Sequence, residues 1–175
     1  MCGPEGTALF YCRKEVQDQL QLTQFGWHML KDAFDFSAQN NALPLAQKIA
    51  AGAQRFESGS PNMMGITALN ASLGMLLEIG MENVQSRVIE NADYLLNQLA
   101  LPGDIKIVSP TATGTYAGIV TFQKLNVDNV KLYQHLQDNN VICAYRGEGI
   151  RFSQHFHTEI RVMDKALKLV NNFTG

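Results

Sequence analysis

The chain has 175 residues, of which 46% are hydrophobic and 17% are charged, a composition typical of a globular protein rather than a disordered one. Its formal net charge of -2 gives no basic surface of the kind that nucleic acids require. No apolar run approaches the length of a membrane span, and the N-terminus lacks the pattern of a signal peptide. We therefore expect neither nucleic acid nor a membrane among its partners.

The cysteine content points to a reducing compartment. Cys2, Cys12 and Cys143 are odd in number and do not have the spacing of metal ligands. We expect free thiols, no metal site and a cytoplasmic location.

The first third of the chain has weak local patterns. A turn rich in glycine and proline precedes Ala8–Cys12, which we predict to be a strand, and a short helix follows with Val16 and Leu20 on one face. From Leu22 to Ala53 the apolar residues show no clear period, and Gln39–Asn41 has the composition of a loop.

The segment from Arg55 to Asn62 leads into a long predicted helix. Ser60 is a candidate cap, Pro61 suits a first helical position, and Gly80 suits the end of the helix. The apolar residues recur at helical spacing, at Ile66, Leu69, Leu73, Leu76 and Leu77. The free N–H groups at such a helix start, with the Ser60 hydroxyl beside them, form a potential anion site. Most capped helix starts bind nothing, so a simple cap is the other interpretation.

The remainder of the chain alternates between helical and strand patterns. Helices are predicted with apolar positions from Val84 to Leu99, from Val130 to Leu136, and from Met163 to Val170 behind a cap at Thr158. Strands are predicted at 105–108, 118–122, 141–145 and 150–153. This order predicts an α+β fold, with helices packed on one face of a small, mostly antiparallel sheet.

Two segments carry a family resemblance. Arg55–Asn62 matches R-F-E-x-G-[ST]-P-N. Arg146–Phe156 looks like R-x-G-x-x-R-x-S-x-H-F, although its glycines stand at 147 and 149 and Glu148 occupies the glycine position of that pattern. With the Gly-Pro-x-Gly turn at the start, the chain resembles class V aminotransferases from Gly3 to about Phe173. These are fold-type I pyridoxal-phosphate enzymes that include cysteine desulfurases, selenocysteine lyases and isopenicillin-epimerase-like proteins.

The resemblance implies a division of the chain into three parts. Residues 1–61 would be a remnant of the large cofactor-binding domain, with its last strand, a connection and the R-F-E turn. Residues 62–80 would form a linking helix, and residues 81–175 the small C-terminal domain.

The resemblance also implies two binding residues. Ser60 matches the residue that reaches the phosphate of pyridoxal phosphate across a dimer interface, and Arg151 matches the arginine that grips the substrate α-carboxylate. The alternative for Arg151 is an ion pair with Glu148 or Glu57, and Arg146 is predicted to be structural.

The histidines near Arg151 are weaker candidates. His155 is a possible general base, but no nucleophile or carboxylate has a recognisable spacing to it, so a hydrogen-bonded structural histidine is favoured. His157 and Thr158–Glu159 depart from the family pattern of Tyr and Asn-Thr, which leaves the role of this corner open.

The lysine that holds the cofactor as a Schiff base precedes the Gly-Pro-x-Gly turn in the family. None of the eight lysines here stands at that position, and each is predicted to be a solvated surface charge. We therefore expect no catalytic residue in this chain, which would be an inactive C-terminal fragment of an enzyme that acts on an amino acid. The alternative is a non-catalytic α+β module that binds an anion or a protein partner.

The position of Cys143 argues against the desulfurase branch. Desulfurases carry a nucleophilic cysteine on a loop of this domain, and the segment between Arg146 and Arg151 has no cysteine. Cys143 lies in a predicted apolar strand, which favours a buried, inert thiol. The aminotransferase, epimerase and selenocysteine-lyase branches remain open.

The apolar surfaces predict self-association. An unpaired strand at Ala8–Cys12 would seek another sheet edge, and the helix face carrying Leu69, Leu73 and Leu76 would lack a cover. We expect a homodimer or larger assembly through these surfaces. The missing large domain is the other expected partner.

Overall fold

A computed structural model describes residues 3–35 and 48–175. Its contacts divide the chain into two compact units, residues 1–75 and 76–175. The loop predicted at Gln39–Asn41 lies outside the described residues, and the predicted domain boundaries stay predictions.

The first unit contains little regular structure before its long helix. Helix α1 spans Lys14–Gln17, and short 3₁₀ turns span Trp27–Met29 and Ala53–Phe56. The strand predicted at Ala8–Cys12 is wrong, because this segment pairs with no strand in the described part of the chain. The side chains of Leu9, Phe10 and Tyr11 are largely exposed, and the Phe10 ring packs against Phe56 with centroids 5.3 Å apart. A pattern of β-forming residues makes no strand without a partner edge.

Helix α2 spans Met63–Ile79 and ends at Gly80, whose φ of 90° suits glycine, so this predicted helix and its end are confirmed. The predicted cap is wrong. The N–H of Gly65 donates to Oδ1 of Asn62 at 2.9 Å, which makes Asn62 the cap in place of Ser60. Ser60 lies too far before the helix to cap it, because a capping side chain accepts from an N–H two or three residues further on.

The buried positions of α2 differ from the surface predicted to mediate assembly. Leu69 and Leu76 are only 5% and 3% exposed, and Leu69 packs on Gly3. Leu77 is 69% exposed and Ile66 45%. Of the predicted face, Leu69 and Leu76 are therefore covered within the chain, whereas Leu73 is half-buried.

The second unit is a four-stranded antiparallel sheet with three helices. These elements are α3 (Met81–Ala100), β1 (Ile105–Ile107), β2 (Val120–Lys124), α4 (Asn129–Asp138), β3 (Ala144–Arg146), β4 (Gly149–Phe152) and α5 (Ile160–Asn172). The strand order is β1-β2-β4-β3, and every pair is antiparallel. The predicted α+β fold is confirmed, with strands at the four predicted segments but with shifted or shorter bounds.

One face of the sheet forms the core with the helices. Val120 pairs with Phe152 and Phe122 with Ile150, so these alternate residues of β2 and β4 share a face. They pack with buried residues of the three helices, namely Ala92, Leu95, Leu96, Leu99, Leu132, Leu136, Met163, Ala166, Leu167 and Val170. The buried face predicted for the last helix is therefore confirmed.

The caps of the last two helices differ. Asp128 caps α4, because its Oδ1 accepts the N–H of Val130 at 2.9 Å. The cap predicted at Thr158 for α5 is wrong: its N-cap residue is Glu159, without a side-chain bond. The Thr158 hydroxyl instead accepts the N–H of His155 at 3.0 Å, a local turn that competes with capping.

One lysine is not a surface charge. Lys124 is 5% exposed, and its Nζ lies 3.0 Å from Oδ2 of Asp104 and donates to the carbonyl oxygens of Val170 at 3.0 Å and Asn171 at 3.1 Å. It continues the inward alternation of β2 and places its charge at the C-terminal end of α5, where the helix dipole favours a cation. The prediction that every lysine is solvated is therefore wrong for Lys124.

In the described ranges, no single helix is both long and apolar enough to cross a membrane. The consecutive helices α2 and α3 together pass the same test of length and composition as a broken pair.

Candidate functional site

Arg151 lies at the centre of the sheet, on the face turned away from the helices. It stands on β4 opposite Thr121 of β2 and Ala144 of β3, while its neighbours Ile150 and Phe152 are buried in the core. Alternation along the strand therefore directs Arg151 to the face of the sheet opposite the helices.

A tight hairpin positions this strand. Gly147 and Glu148 have φ angles of 57° and 62°, the positive values that a two-residue hairpin turn requires. Gly149 must lack a side chain, because a Cβ there would lie 2.4 Å from the carbonyl oxygen of Phe122. The spacing of the two arginines in R-G-E-G-I-R is thus a consequence of the turn that joins β3 to β4.

The guanidinium of Arg151 has unused hydrogen-bonding capacity. Its Nε is buried and has no hydrogen-bond partner among the described residues. The predicted alternative pair with Glu148 is not formed, and the Glu57 carboxylate lies 3.5 Å from Nδ1 of His28. A buried donor without a partner is costly, so this group favours an acceptor from outside the described residues. Arg146, predicted to be structural, is exposed and makes no ion pair in the described part of the chain.

The R-F-E turn is held by contacts within the first unit. The side-chain amide of Gln54 donates to the carbonyl oxygens of His28 at 3.1 Å and Leu30 at 3.3 Å. Arg55 pairs with Asp18 at 2.7 Å, and a Cβ on Gly26 would lie 1.8 Å from the carbonyl oxygen of Ser58. The backbone just before Ser60 is therefore packed closely against residues 26–30.

Ser60 is exposed at the end of this turn, three residues before α2 begins. With Asn62 acting as the cap, the Ser60 hydroxyl is not used to cap the helix. An exposed hydroxyl next to a helix start fits a phosphate oxygen, so Ser60 is compatible with the predicted cofactor contact. Ser60 and Arg151 belong to different units of the chain.

His155 is fixed through its backbone. Its carbonyl oxygen accepts from Nδ2 of Asn91 at 2.9 Å, and the same amide donates to the carbonyl oxygen of Thr158 at 3.1 Å. Burial, followed by the charge of His157, lowers the pKa of His155 below its ordinary value. A histidine held neutral in a hydrogen-bonded turn is consistent with the predicted structural role.

Cys143 is half-buried rather than buried, and it directly precedes β3. Burial raises the pKa of its thiol, and the amide of Gln137 lies 3.8 Å from its Sγ. A thiol with a raised pKa is a poor nucleophile at neutral pH, in line with the predicted inert role.

Sequence reasoning missed the buried polar side chains, which among the described residues are His28, Asn91, Lys124 and Gln154. Gln154 is 5% exposed and lines a cavity next to α5. The two-residue period of the apolar residues Ile150 and Phe152, continued by two residues, is the signal that could have predicted an inward amide.

Comparisons with known proteins support the fold and the family resemblance. The family model for aminotransferase class-V matches residues 1–164. The chain is 28% identical over 155 residues to a cysteine desulfurase of Haloferax volcanii, and 26% identical over 188 residues to a probable cysteine desulfurase of Ureaplasma parvum. These matches cover 89% and 99% of this chain but only 32% and 43% of the relatives.

A solved structure of a C-DES variant, with glycine covalently linked to its PLP cofactor, superposes with a TM-score of 0.78. The match covers 94% of this chain and 41% of that one at 18% identity, so it shows the fold alone. The names of the relatives do not decide the reaction of this chain, and the prediction against the desulfurase branch stays a prediction.

Proposed function

Because the chain belongs to the aminotransferase class-V family, we propose that it supplies the substrate-carboxylate site of a pyridoxal-phosphate enzyme that acts on an amino acid. The chain spans less than half the length of the relatives it matches. We therefore propose that the chain is a part of such an enzyme and that it needs a large domain to turn over substrate.

The observation that supports this proposal is the unpartnered Nε of Arg151. A guanidinium offers planar, paired N–H donors that match the two oxygens of a carboxylate. Because Arg151 stands on a central strand, between β2 and β3, its donors are held by the sheet rather than by a mobile loop. The residue would bind and orient the α-carboxylate of an amino acid.

Ser60 would supply the second contact, a hydroxyl to the phosphate of the cofactor. When bound, the cofactor would act as an electron sink for bonds at the amino-acid Cα. The role of Ser60 would be to hold the phosphate, with the first N–H groups of α2 beside it.

The Arg151 assignment is tested by observing its Nε–H signal by NMR while L-alanine is added. We expect a saturable shift in the millimolar range, about the affinity that one exposed carboxylate contact provides. Arg151→Gln should abolish saturable binding. The matched control is Arg146→Gln in the same hairpin, which should leave binding unchanged. An unmoved Arg151 signal, or an equal loss in the control, would sink the proposal.

The absence of turnover by the chain alone is tested by mixing it with pyridoxal phosphate. None of its lysines occupies the position expected for the covalent attachment, and Lys124 is engaged by Asp104 and two carbonyl oxygens. We expect only slow, nonspecific lysine adducts. A stoichiometric visible absorption band that disappears when one lysine is replaced would contradict this part of the proposal.

A further inference from the structure

A cavity of about 720 Å³ lies beside helix α5 on the helix side of the sheet. Apolar residues from three parts of the second unit form part of its lining: Leu95 of α3, Phe152 of β4, and Met163 and Ala166 of α5. Arg151 lies on β4 next to Phe152 but faces the opposite side of the sheet. The cavity is therefore separate from the carboxylate site proposed above.

The buried side chain of Gln154 is the unusual feature of this cavity. It lines the cavity and is 5% exposed, yet neither its Nε2 nor its Oε1 has a hydrogen-bond partner among the described residues. Buried amides are almost always paired, because an unmet donor and acceptor both lose water on burial. An occupant that offers one acceptor and one donor side by side would satisfy both atoms.

The backbone around Gln154 is held by several contacts. His155 and Thr158 close a turn through two bonds of 3.0 Å, and buried Asn91 ties both their carbonyl oxygens to α3. On the other side, Gly118 approaches the carbonyl oxygen of Gln154 so closely that a Cβ there would lie 2.8 Å away. These contacts fix the point from which the side chain of Gln154 enters the cavity.

Two cationic side chains lie at the rim of the cavity. Arg161 and Lys165, four residues apart on α5, both line it. Arg161 pairs with Glu159, which offsets one charge, while Lys165 is exposed and has no ion pair in the described ranges. An occupant with a negative charge would be favoured at this edge.

We propose that this cavity binds an acylated apolar amino acid with a free carboxylate. In an extended ligand the N–H and one carboxylate oxygen of the same residue lie on one side, where they meet Oε1 and Nε2 of Gln154. The apolar side chain of the ligand enters the cavity between Leu95, Phe152 and Met163, and its other carboxylate oxygen meets Arg161 and Lys165. Two sources present this chemistry, a free N-acyl amino acid and the C-terminal residue of a peptide. Neither ligand takes part in the reaction proposed above, so the two proposals can be tested independently.

The test uses the 175-residue chain and N-acetyl-L-leucine, followed by NMR of the amide signals. We expect saturable shifts at Gln154 and along the start of α5, with a dissociation constant on the order of 1 mM for so small a ligand. Gln154→Met keeps an unbranched side chain and removes both amide atoms, and it should weaken binding about tenfold. Gln134→Met, at an exposed position of α4, is the matched control and should not change it. Absence of saturable shifts, or equal binding by both variants, would overturn the proposal.

The charge of the rim is tested with exposed positions, where folding is not at risk. Arg161→Gln combined with Lys165→Gln should weaken binding severalfold, and Lys168→Gln on the same helix should not. N-acetyl-L-leucinamide, which lacks the carboxylate, should bind correspondingly more weakly. Equal affinity for the acid and the amide would overturn the assigned role of the rim.

A pentapeptide, acetyl-Ala-Ala-Ala-Ala-Leu, distinguishes the two sources. Binding at least about tenfold tighter than N-acetyl-L-leucine would identify the cavity as a site for a peptide C-terminus. Equal binding would identify the free acyl amino acid as the ligand. For both ligands, Gln154→Met should weaken binding by the same factor.

Discussion

At the scale of single residues, Lys124 is the clearest case of a side chain that joins separate elements. Its ammonium connects the end of β2 to Asp104 and to the last carbonyl oxygens of α5. We expect Lys124→Met to lower the free energy of unfolding by about 1–3 kcal/mol, because it leaves these acceptors without their donor while keeping most of the aliphatic stem. Urea denaturation would measure the loss. Lys106→Met, at an exposed position of β1, is the control and should change it by less than about 0.5 kcal/mol.

His155 makes a prediction about pH. Its pKa in the folded chain is lowered from 6.5, first by burial and then by the charge of His157. As the pH falls below 6.5, the unfolded chain takes up a proton that the folded chain does not, so the free energy of unfolding must fall. The decline should level off once the pH is below the folded-state pKa.

Urea denaturation from about pH 7.5 to about pH 5 would measure this decline. His155→Gln should make the curve shallower over that range, whereas His135→Gln on α4 leaves His155 in place and should preserve its contribution. An unchanged slope in His155→Gln would show that burial of this imidazole does not control the pH dependence.

At the scale of elements, Ser60 and Asn62 are both candidate caps of α2 by residue type, and only Asn62 acts as the cap. Asn62 accepts the N–H of Gly65, while the exposed Ser60 lies too early in the turn to act as the cap. Asn62→Ala should therefore weaken the first turn of α2 by about 1 kcal/mol, and Ser60→Ala should not.

Hydrogen exchange at the amide of Gly65 measures this difference locally. A loss of about 1 kcal/mol corresponds to roughly fivefold faster exchange. Faster exchange in Ser60→Ala, with Asn62→Ala unchanged, would restore Ser60 as the cap and leave its hydroxyl unavailable to a phosphate.

At the scale of the whole molecule, self-association and the surface that would carry it stay predictions. Ala8–Cys12 is not a sheet edge, and Leu69 and Leu76 are buried. The exposed apolar side chains of α2 include Met64, Ile66 and Leu77, which are costly to leave in water. We propose that a homodimer forms through Ile66 and Leu77, which lie on one side of the helix.

Size exclusion with light scattering at tens of micromolar tests this assembly. We expect a mass above the 19.4 kDa of a single chain. Ile66→Lys combined with Leu77→Lys should shift the mass to the monomer, and Ala68→Lys, at an exposed position on the opposite side of the helix, should not. A cooperatively folded monomer for the unaltered chain would contradict the prediction.

The sequence by itself determined the order of elements in the second unit, the buried face of α5 and the identity of Arg151 as a sheet residue. These features follow from local periodicity, which each segment carries within its own residues. The sequence did not determine that Ala8–Cys12 lacks a partner edge, that Asn62 rather than Ser60 caps α2, or that Lys124 and Gln154 are buried. Those outcomes depend on which atoms the tertiary structure places within hydrogen-bonding distance. A strand needs another strand, a cap needs a particular N–H, and a buried polar group needs a partner that can lie far away in the chain.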